Sequence, residues 1–455
     1  MLSFVILAVC AVSCGDNGSG MRDNPFAVDT PVTVTMTDRA DTVFLSWEPV
    51  TGVSFDQVEV SCSQLGYSEV FKGTTGSCFL THVPYHAKMG IDLTVSNSAD
   101  SKTVTVYADI DGWDDSMKSK IYADKGGVSS GDGLYSVALP DGRSIFLMGD
   151  SYVCDVTNNT HPQGAHMYRN TYIVYDPVKG THTPIYDAKG AGTYSSAAVP
   201  PGTSNEWQYW YWPGHGYVQD NRLFIFQSLM YMAGEGEWGF AYSQMNLLEY
   251  SLPDITLVKD WRTYDVNSAH RSSSDGVEEH YGVAVLNDGD YVYFYAQVST
   301  GSGLDEVSTA RVARTDPKNP YQAWEYYNGS GWSTTAADAK DLAGTTGVPI
   351  SSQFNVFKLG GKYVLLTEDK RLWESCIYTF VSDSPQGPWT HKKLLYTIPA
   401  LRDDETYTYN AMAHPQITKD GMFLVSYCVN NSNQVTNVNG YRGRFIWIDP
   451  EWILE

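Results

Sequence analysis

Basic residues are scarce in this chain, with 30 Lys and Arg against 52 Asp and Glu and a net charge of −22. A polyanion would be repelled rather than steered in, which excludes nucleic acid and an anionic membrane face and favours a neutral or cationic ligand. Long apolar runs are scarce too. The one at the start, Leu2 to Val12, holds about a dozen residues, too short for a bilayer and suited to the apolar core of a signal peptide. No GxSxG, HExxH, P-loop or dinucleotide glycine motif occurs, which removes serine esterases, zincins, NTPases and Rossmann enzymes. The seven cysteines show no CxxC or Cys/His spacing, so a zinc site is not expected. Cys62 and Cys78 could pair after export, and Cys154, Cys376 and Cys428 read as buried thiols. A helical period of apolar residues is missing throughout, which points to an all-β chain.

Aromatics are abundant, with 32 Tyr and 13 Trp, and they suit both short strands and the stacking surfaces that sugar rings prefer. Around the leader, Ala11-Val12-Ser13-Cys14 resembles a bacterial lipobox, which implies residues 1–14 as signal, Cys14 as the lipidation site and 15–26 as a tether. A plain secretory signal is the alternative. Over 27–109, the runs VTVTM, VFLSW, DQVEVS, LTVSN and KTVTVYA alternate at sandwich spacing. The segment VFLSWEPVTGVSFDQVEV resembles a fibronectin type III or other Ig-like β-sandwich, with Trp47 as its core tryptophan.

Residues 110–455 carry a repeated hairpin: YSVALPDGRSIFLMGD, GYVQDNRLFIFQS, YGVAVLNDGDYVYFYAQ, FNVFKLGGKYVLLTED and HPQITKDGMFLVSYCVN. Their turns, at Asp141, Asp220, Asp288, Gly360 and Asp420, lie 60 to 79 residues apart, and each interval holds a second apolar pair. Five units of four strands predict a five-bladed β-propeller whose first strands line a central channel. Hairpin pairing about the Asp141-Gly142 turn places Asp132 opposite residue 151, beside Asp150. Offsets of nine residues in the other hairpins give Tyr211/Leu229, Glu279/Gln297, Ser351/Asp369 and Ala411/Val429. Gln353, Glu368, His215, His280 and His414 lie near the same rim. Carboxylates gathered around a channel are what glycosidic cleavage needs, although an aspartate within Gly-Asp-Gly can also be a simple turn residue.

The motifs GDGLYSVALPDGRSIFLMGDSY, YRNTYIVYD, WYWPGHGYVQDNRLFIF, EEHYGVAVLNDGDYVYFY, SDSPQGPWT and YNAMAHPQI resemble those of secreted bacterial propellers of the domain-of-unknown-function type, related to endo-D-arabinanases. The resemblance implies Asp132 and Asp150 as the catalytic pair and Arg169 and Asn170 as substrate contacts. It also implies Trp212, His215, Glu279, His280 and His414 as rim residues, to which the offsets add Gln353 and Asp369. The added N-terminal sandwich sets this chain apart from the arabinanases. The implied activity is a glycoside hydrolase acting on furanosyl, D-arabinan-like polysaccharide. The alternative is a non-catalytic glycan-binding lipoprotein, and retention of both aspartates favours the enzyme. No cofactor is required, although a channel histidine such as His414 leaves room for a structural Ca²⁺. The expected partner is a poly- or oligosaccharide, the state a monomer, and the location exported, either lipid-anchored at the outer membrane or cell surface, or periplasmic.

Overall fold

The computed structural model describes residues 25–26, 32–36, 43–63, 67–80, 89–108, 115–236, 239–262, 277–300, 307–321, 323–369, 376–398, 406–431, 434 and 436–455. Cys14, the signal and nearly all of the tether lie outside them. The chain divides into two compact units, the first made of residues 1–113 with the short later segments 396–400 and 446–452, the second of the remainder. The first contains β1 (Thr33–Met36), β2 (Val43–Ser46), β3 (Gln57–Cys62), β4 (Tyr67–Lys72), β5 (Ser77–Leu80), β6 (Met89–Ser96) and β7 (Ser101–Ala108). They form two antiparallel sheets, β1-β2-β5 and β4-β3-β6-β7. The alternation seen in the sequence is the burial pattern: Val43 and Leu45, Val58 and Val60, and Ile91, Leu93 and Val95 point inward, with Trp47 buried beside them. Cys62 on β3 and Cys78 on β5 belong to different sheets and form no disulfide, so the considered pairing does not occur.

The second unit opens with helix α1 (Asp115–Ile121), followed by β8 (Val128–Gly131), β9 (Tyr135–Ala138), β10 (Ser144–Met148), β11 (Ser151–Val153), β12 (Met167–Tyr168), β13 (Thr171–Asp176) and β14 (Thr181–Ile185). Next come β15 (Tyr209–Gln219), β16 (Arg222–Met232), β17 (Phe240–Ser251) and β18 (Thr256–Arg262). They are followed by β19 (Val277–Asp288), β20 (Tyr291–Thr300), β21 (Val307–Thr315), β22 (Glu325–Tyr327) and β23 (Trp332–Ser333). The remainder is β24 (Asn355–Leu359), β25 (Lys362–Glu368), β26 (Cys376–Ser382), β27 (Thr390–Thr397), β28 (Thr406–Lys419), β29 (Met422–Asn431) and β30 (Arg444–Ile448). Five antiparallel sheets result: β9-β10-β13-β14, β15 to β18, β19 to β23, β24 to β27, and β28-β29-β30, with β8, β11 and β12 forming a small sixth.

Each main sheet begins with one of the repeated hairpins. The turns carry the expected chemistry: Asp220 and Asn221, Gly360 and Gly361, and Asp420 and Gly421 all have positive φ, as a two-residue hairpin turn demands. The first strands touch in a cycle, β9 to β15, β15 to β19, β19 to β24, β24 to β28 and β28 back to β9. The apolar cores lie between neighbouring sheets. Tyr135, Ile145 and Tyr172 meet Leu223 and Ile225, Phe224 and Phe226 meet Phe294 and Trp324, and Tyr295 and Val312 meet Phe354 and Leu365. The unit is therefore a β-propeller, each sheet burying both faces against its neighbours.

The expected rim pairings hold in the second sheet, where Tyr211 faces Leu229, and slip elsewhere. Glu279 faces Val298 while His280 takes Gln297, Ile350 rather than Ser351 faces Asp369, and Thr408 rather than Ala411 faces Val429. Bulges between Tyr281 and Ala284 and between Tyr409 and Met412 add residues to one strand, which a count from the turn cannot foresee.

Candidate active site

The first hairpin continues past its own sheet. Leu147 pairs with Tyr135, and Ser151 with Gly131, one register carried across the break between β9-β10 and β8-β11. Asp132 and Asp150 fall directly opposite each other within that break. The Asp132 N–H donates to the Asp150 carbonyl at 3.2 Å, and the Gly149 N–H to the Asp132 carbonyl at 2.8 Å. Glycine is required here for space. A Cβ on Gly149 would lie 2.4 Å from Asp132 Oδ1, and one on Gly133, at φ +96°, would lie 2.7 Å from the Gly149 nitrogen. The Gly-Asp-Gly and Gly-Asp motifs thus let two chains close tightly around two carboxyl groups.

The two aspartates have different surroundings. Asp132 Oδ2 accepts the Tyr409 hydroxyl at 2.7 Å, and Tyr441 donates a second hydrogen bond to the same carboxylate. Burial, and then the nearby Asp150 charge, push the Asp132 carboxyl up to about 7, against the pull of the two hydroxyls. Asp150 accepts Arg169 Nη1 at Oδ2, 3.0 Å away, and the Trp212 indole N–H at Oδ1, 2.9 Å away. Burial raises this carboxyl too, while the Arg169 charge and the two donors favour its ionised form. The Arg169 guanidinium lies over both Trp207, at 4.4 Å, and Trp210, at 4.2 Å. Tyr441 is placed by ring closure: Gly131 bridges to Arg442, whose guanidinium donates to the Ser129 carbonyl at 2.6 Å and Asp124 at 2.7 Å.

A third perturbed carboxyl, Glu368, ends β25 and is buried. Its Oε1 accepts the Thr408 hydroxyl at 2.7 Å, one residue before Tyr409, and burial raises its pKa to about 8. Asp369, next to it, is buried as well.

The other expected site residues have more structural surroundings. Asn170 is fully buried; its amide donates to the Ala198 and Tyr211 carbonyls, both at 2.9 Å, and its oxygen accepts the Ala198 N–H at 2.7 Å. Glu279 pairs with Arg311 at 3.3 Å, and Arg311 also binds Asp341 at 2.7 Å. His280 stacks on Tyr242 with centroids 4.1 Å apart, and Gln353 Oε1 is buried without a protein hydrogen-bond partner. His215 sits in the bulge of β15, where its Nδ1 accepts the Val285 N–H and its Nε2 donates to the Ser136 carbonyl, both at 3.1 Å. His414 bonds Ser136 Oγ at 2.7 Å and Ser426 Oγ at 2.8 Å. Burial lowers the two histidines to about 4 and about 3, so both are neutral stitches between first strands. The ring nitrogens of both histidines are thus taken up by Ser136, Val285 and Ser426.

Glu368 is among the residues the hairpin offsets place near the rim, whereas Tyr409 and Tyr441 are not legible as site residues from the sequence. Tyr409 and Tyr441 lie some 280 to 310 residues after Asp132 and reach it only because the cycle of sheets closes.

Fold and site together define a β-propeller with a pair of unlike carboxylates where its first hairpin splits. By sequence, the chain belongs to the family described as Domain of unknown function (DUF5005), which matches residues 118–451. No curated protein matches it. Among solved structures, a Bacteroides ovatus ATCC 8483 protein, provisionally called a hydrolase, superposes with a TM-score of 0.58 at 20% identity, covering 76% of this chain and 90% of that one. A Dyadobacter fermentans DSM 18053 protein of unknown function gives 0.43 at 9% identity, over 72% and 81% of the two chains. A GH43 enzyme from Xanthomonas citri, in complex with xylose, gives 0.37 at 13%, over 73% and 93%. The first likeness speaks to the fold alone, and the other two superpose too loosely to carry an argument.

Proposed function

We propose that this chain is a five-bladed propeller glycoside hydrolase that cleaves furanosyl, D-arabinan-like polysaccharide with Asp132 and Asp150. The observation that carries the proposal is the opposition of two carboxyl groups with unlike partners. Hydrolysis needs one carboxyl that still holds its proton near neutrality and one that is already ionised. Asp132, pushed up to about 7, is suited to donate a proton to the glycosidic oxygen as the bond to the anomeric carbon breaks. Asp150, held by Arg169 and Trp212, is suited to the second role. It either takes a proton from the attacking water or attacks the anomeric carbon itself, with water then releasing the sugar. In both cases one water is consumed: in the retaining course Asp132 takes its proton back from that water, and in the inverting course the proton gained by Asp150 returns to Asp132 through solvent.

In this reading the N-terminal pair of sheets is an Ig-like spacer, Cys14 carries a lipid, and the monomeric enzyme is displayed at the outer membrane or cell surface. No helix among the described residues is long and apolar enough to cross a membrane. The test is incubation with a panel of soluble polysaccharides, including D-arabinan, followed by product analysis and NMR of the first-formed anomer. Release of oligosaccharides from a furanosyl polymer is expected. Release from none of the panel would leave the glycan-binding alternative in its place.

A further inference from the structure

Among the described residues of the propeller, the exposed Phe, Tyr and Trp side chains all fall between residues 186 and 209: Tyr186, Tyr194, Trp207 and Tyr209. Exposed aliphatic residues such as Val178 and Leu257 lie outside that stretch. Exposed rings concentrated in one stretch of chain point to a binding surface in a way that exposed residues scattered along it do not.

Two of these rings are tied to the carboxylate pair. Trp207, 52% exposed, lies 4.4 Å from the Arg169 guanidinium that holds Asp150. Tyr194, 64% exposed, has φ +50°, unfavourable for an aromatic residue. The surrounding loop over-determines that conformation: the Asp187 carboxylate accepts the Gly192 N–H at 2.7 Å and the Ser195 N–H at 3.0 Å. Ser196 then joins both rings to the site. Its hydroxyl accepts the Arg169 N–H at 3.0 Å, and its own N–H donates at 3.1 Å to Glu206, the neighbour of Trp207.

We propose that Trp207 and Tyr194 form a stacking track leading away from Asp150, on which a neutral glycan chain binds over several sugar units. The proposal rests on the reading of the cleft as a glycan site and extends it from a single bond to a polymer. Sugar rings offer C–H faces that pack on aromatic rings and need no charge, which suits a chain carrying −22. The rings are interleaved with Asp187, Lys189 and Glu206 instead of merging into one apolar face, as a protein interface core would.

The test uses Asp132→Asn as a non-degrading parent, run by affinity electrophoresis through gels containing each of a panel of soluble neutral polysaccharides, arabinan among them. At least one polysaccharide should retard the parent and a Val178→Ser control equally. Adding Trp207→Ala or Tyr194→Ala should weaken that retardation about tenfold each. Tyr194 sits on a surface loop, so its variant remains informative if the tryptophan change unfolds the protein. The proposal is overturned if no polysaccharide retards the parent, if retardation survives both ring losses, or if the ring losses abolish a dimer in sedimentation instead. A wild-type protein that is retarded through these rings yet releases no product would refute hydrolysis and leave the track standing.

Discussion

Two polar clusters are built on the hairpins of the propeller, and they differ in what their side chains have left to offer. His215 and His414 have both ring nitrogens engaged by Ser136, Val285 and Ser426. Asp132 and Asp150 are only partly covered, each is pinned by donors, and each meets another carboxyl. A buried polar group with every partner supplied by the fold stiffens that fold. A carboxyl whose protonation is contested by burial, charge and hydrogen bonds is poised for proton transfer. Residue type therefore says less about role than the unsatisfied balance around it.

The largest expected effect lies on the carboxylate side. Asp132→Asn and Asp150→Asn should each lower hydrolysis by about three orders of magnitude or more while glycan retardation persists. Either variant keeping near-normal turnover would make the pair structural. On the histidine side, His414→Ala should remove the hydrogen bonds to Ser136 and Ser426, leaving Ser136 only the Gln416 amide, and open a cavity between strands, costing about 2–4 kcal/mol by denaturant unfolding. A stability change within error would show that the channel does not depend on this stitch.

Gly149→Ala sharpens the comparison because it moves Asp132 without removing it. With a Cβ 2.4 Å from Oδ1, the carboxyl must shift, and turnover should fall about ten- to a hundredfold with the fold retained. The two clusters should also pull stability in opposite directions with pH. His215 and His414, lowered to about 4 and 3, contribute stability that is full above their unfolded value near 6.5 and lost as pH falls towards 3 to 4. Asp132 and Glu368, raised to about 7 and 8, contribute fully below their unfolded values near 4 and lose that contribution as pH rises through 7 to 8. Unfolding free energies at pH 5 and 8 should show Asp132→Asn flattening the alkaline loss by about 2–3 kcal/mol. The smallest effect belongs to Tyr409→Phe. Its hydroxyl favours the charged form of Asp132, so its loss should move the alkaline limb of the pH–rate profile upward, by about one unit or less.

Much of this was legible from short-range pattern. Turn residues at Asp141, Asp220, Gly360 and Asp420 located hairpins that are all present, and counting outward from the first turn placed Asp132 within one residue of its true partner. The count failed at Glu279 and Ala411 because a bulge adds residues to one strand with no mark that a spacing rule detects. Asn170 came as a substrate contact from the family resemblance, which matches residue types and does not tell a buried amide bridging two carbonyls from an exposed one. Tyr409 and Tyr441 escaped because their proximity to Asp132 is set by closure of the ring of sheets, a contact between chain ends that no local pattern encodes.

The claim at the centre of this account is that Asp132 and Asp150 hold different protonation states at neutral pH. Carboxyl ¹³C titration of the wild-type protein with labelled aspartate, repeated on Asp132→Asn and Asp150→Asn, measures this directly. One aspartate should titrate near pH 7, vanish in Asp132→Asn, and move to lower pH in Asp150→Asn once the neighbouring charge is gone. A wild-type spectrum in which no aspartate titrates above about pH 5 would contradict the assignment of Asp132 as the acid.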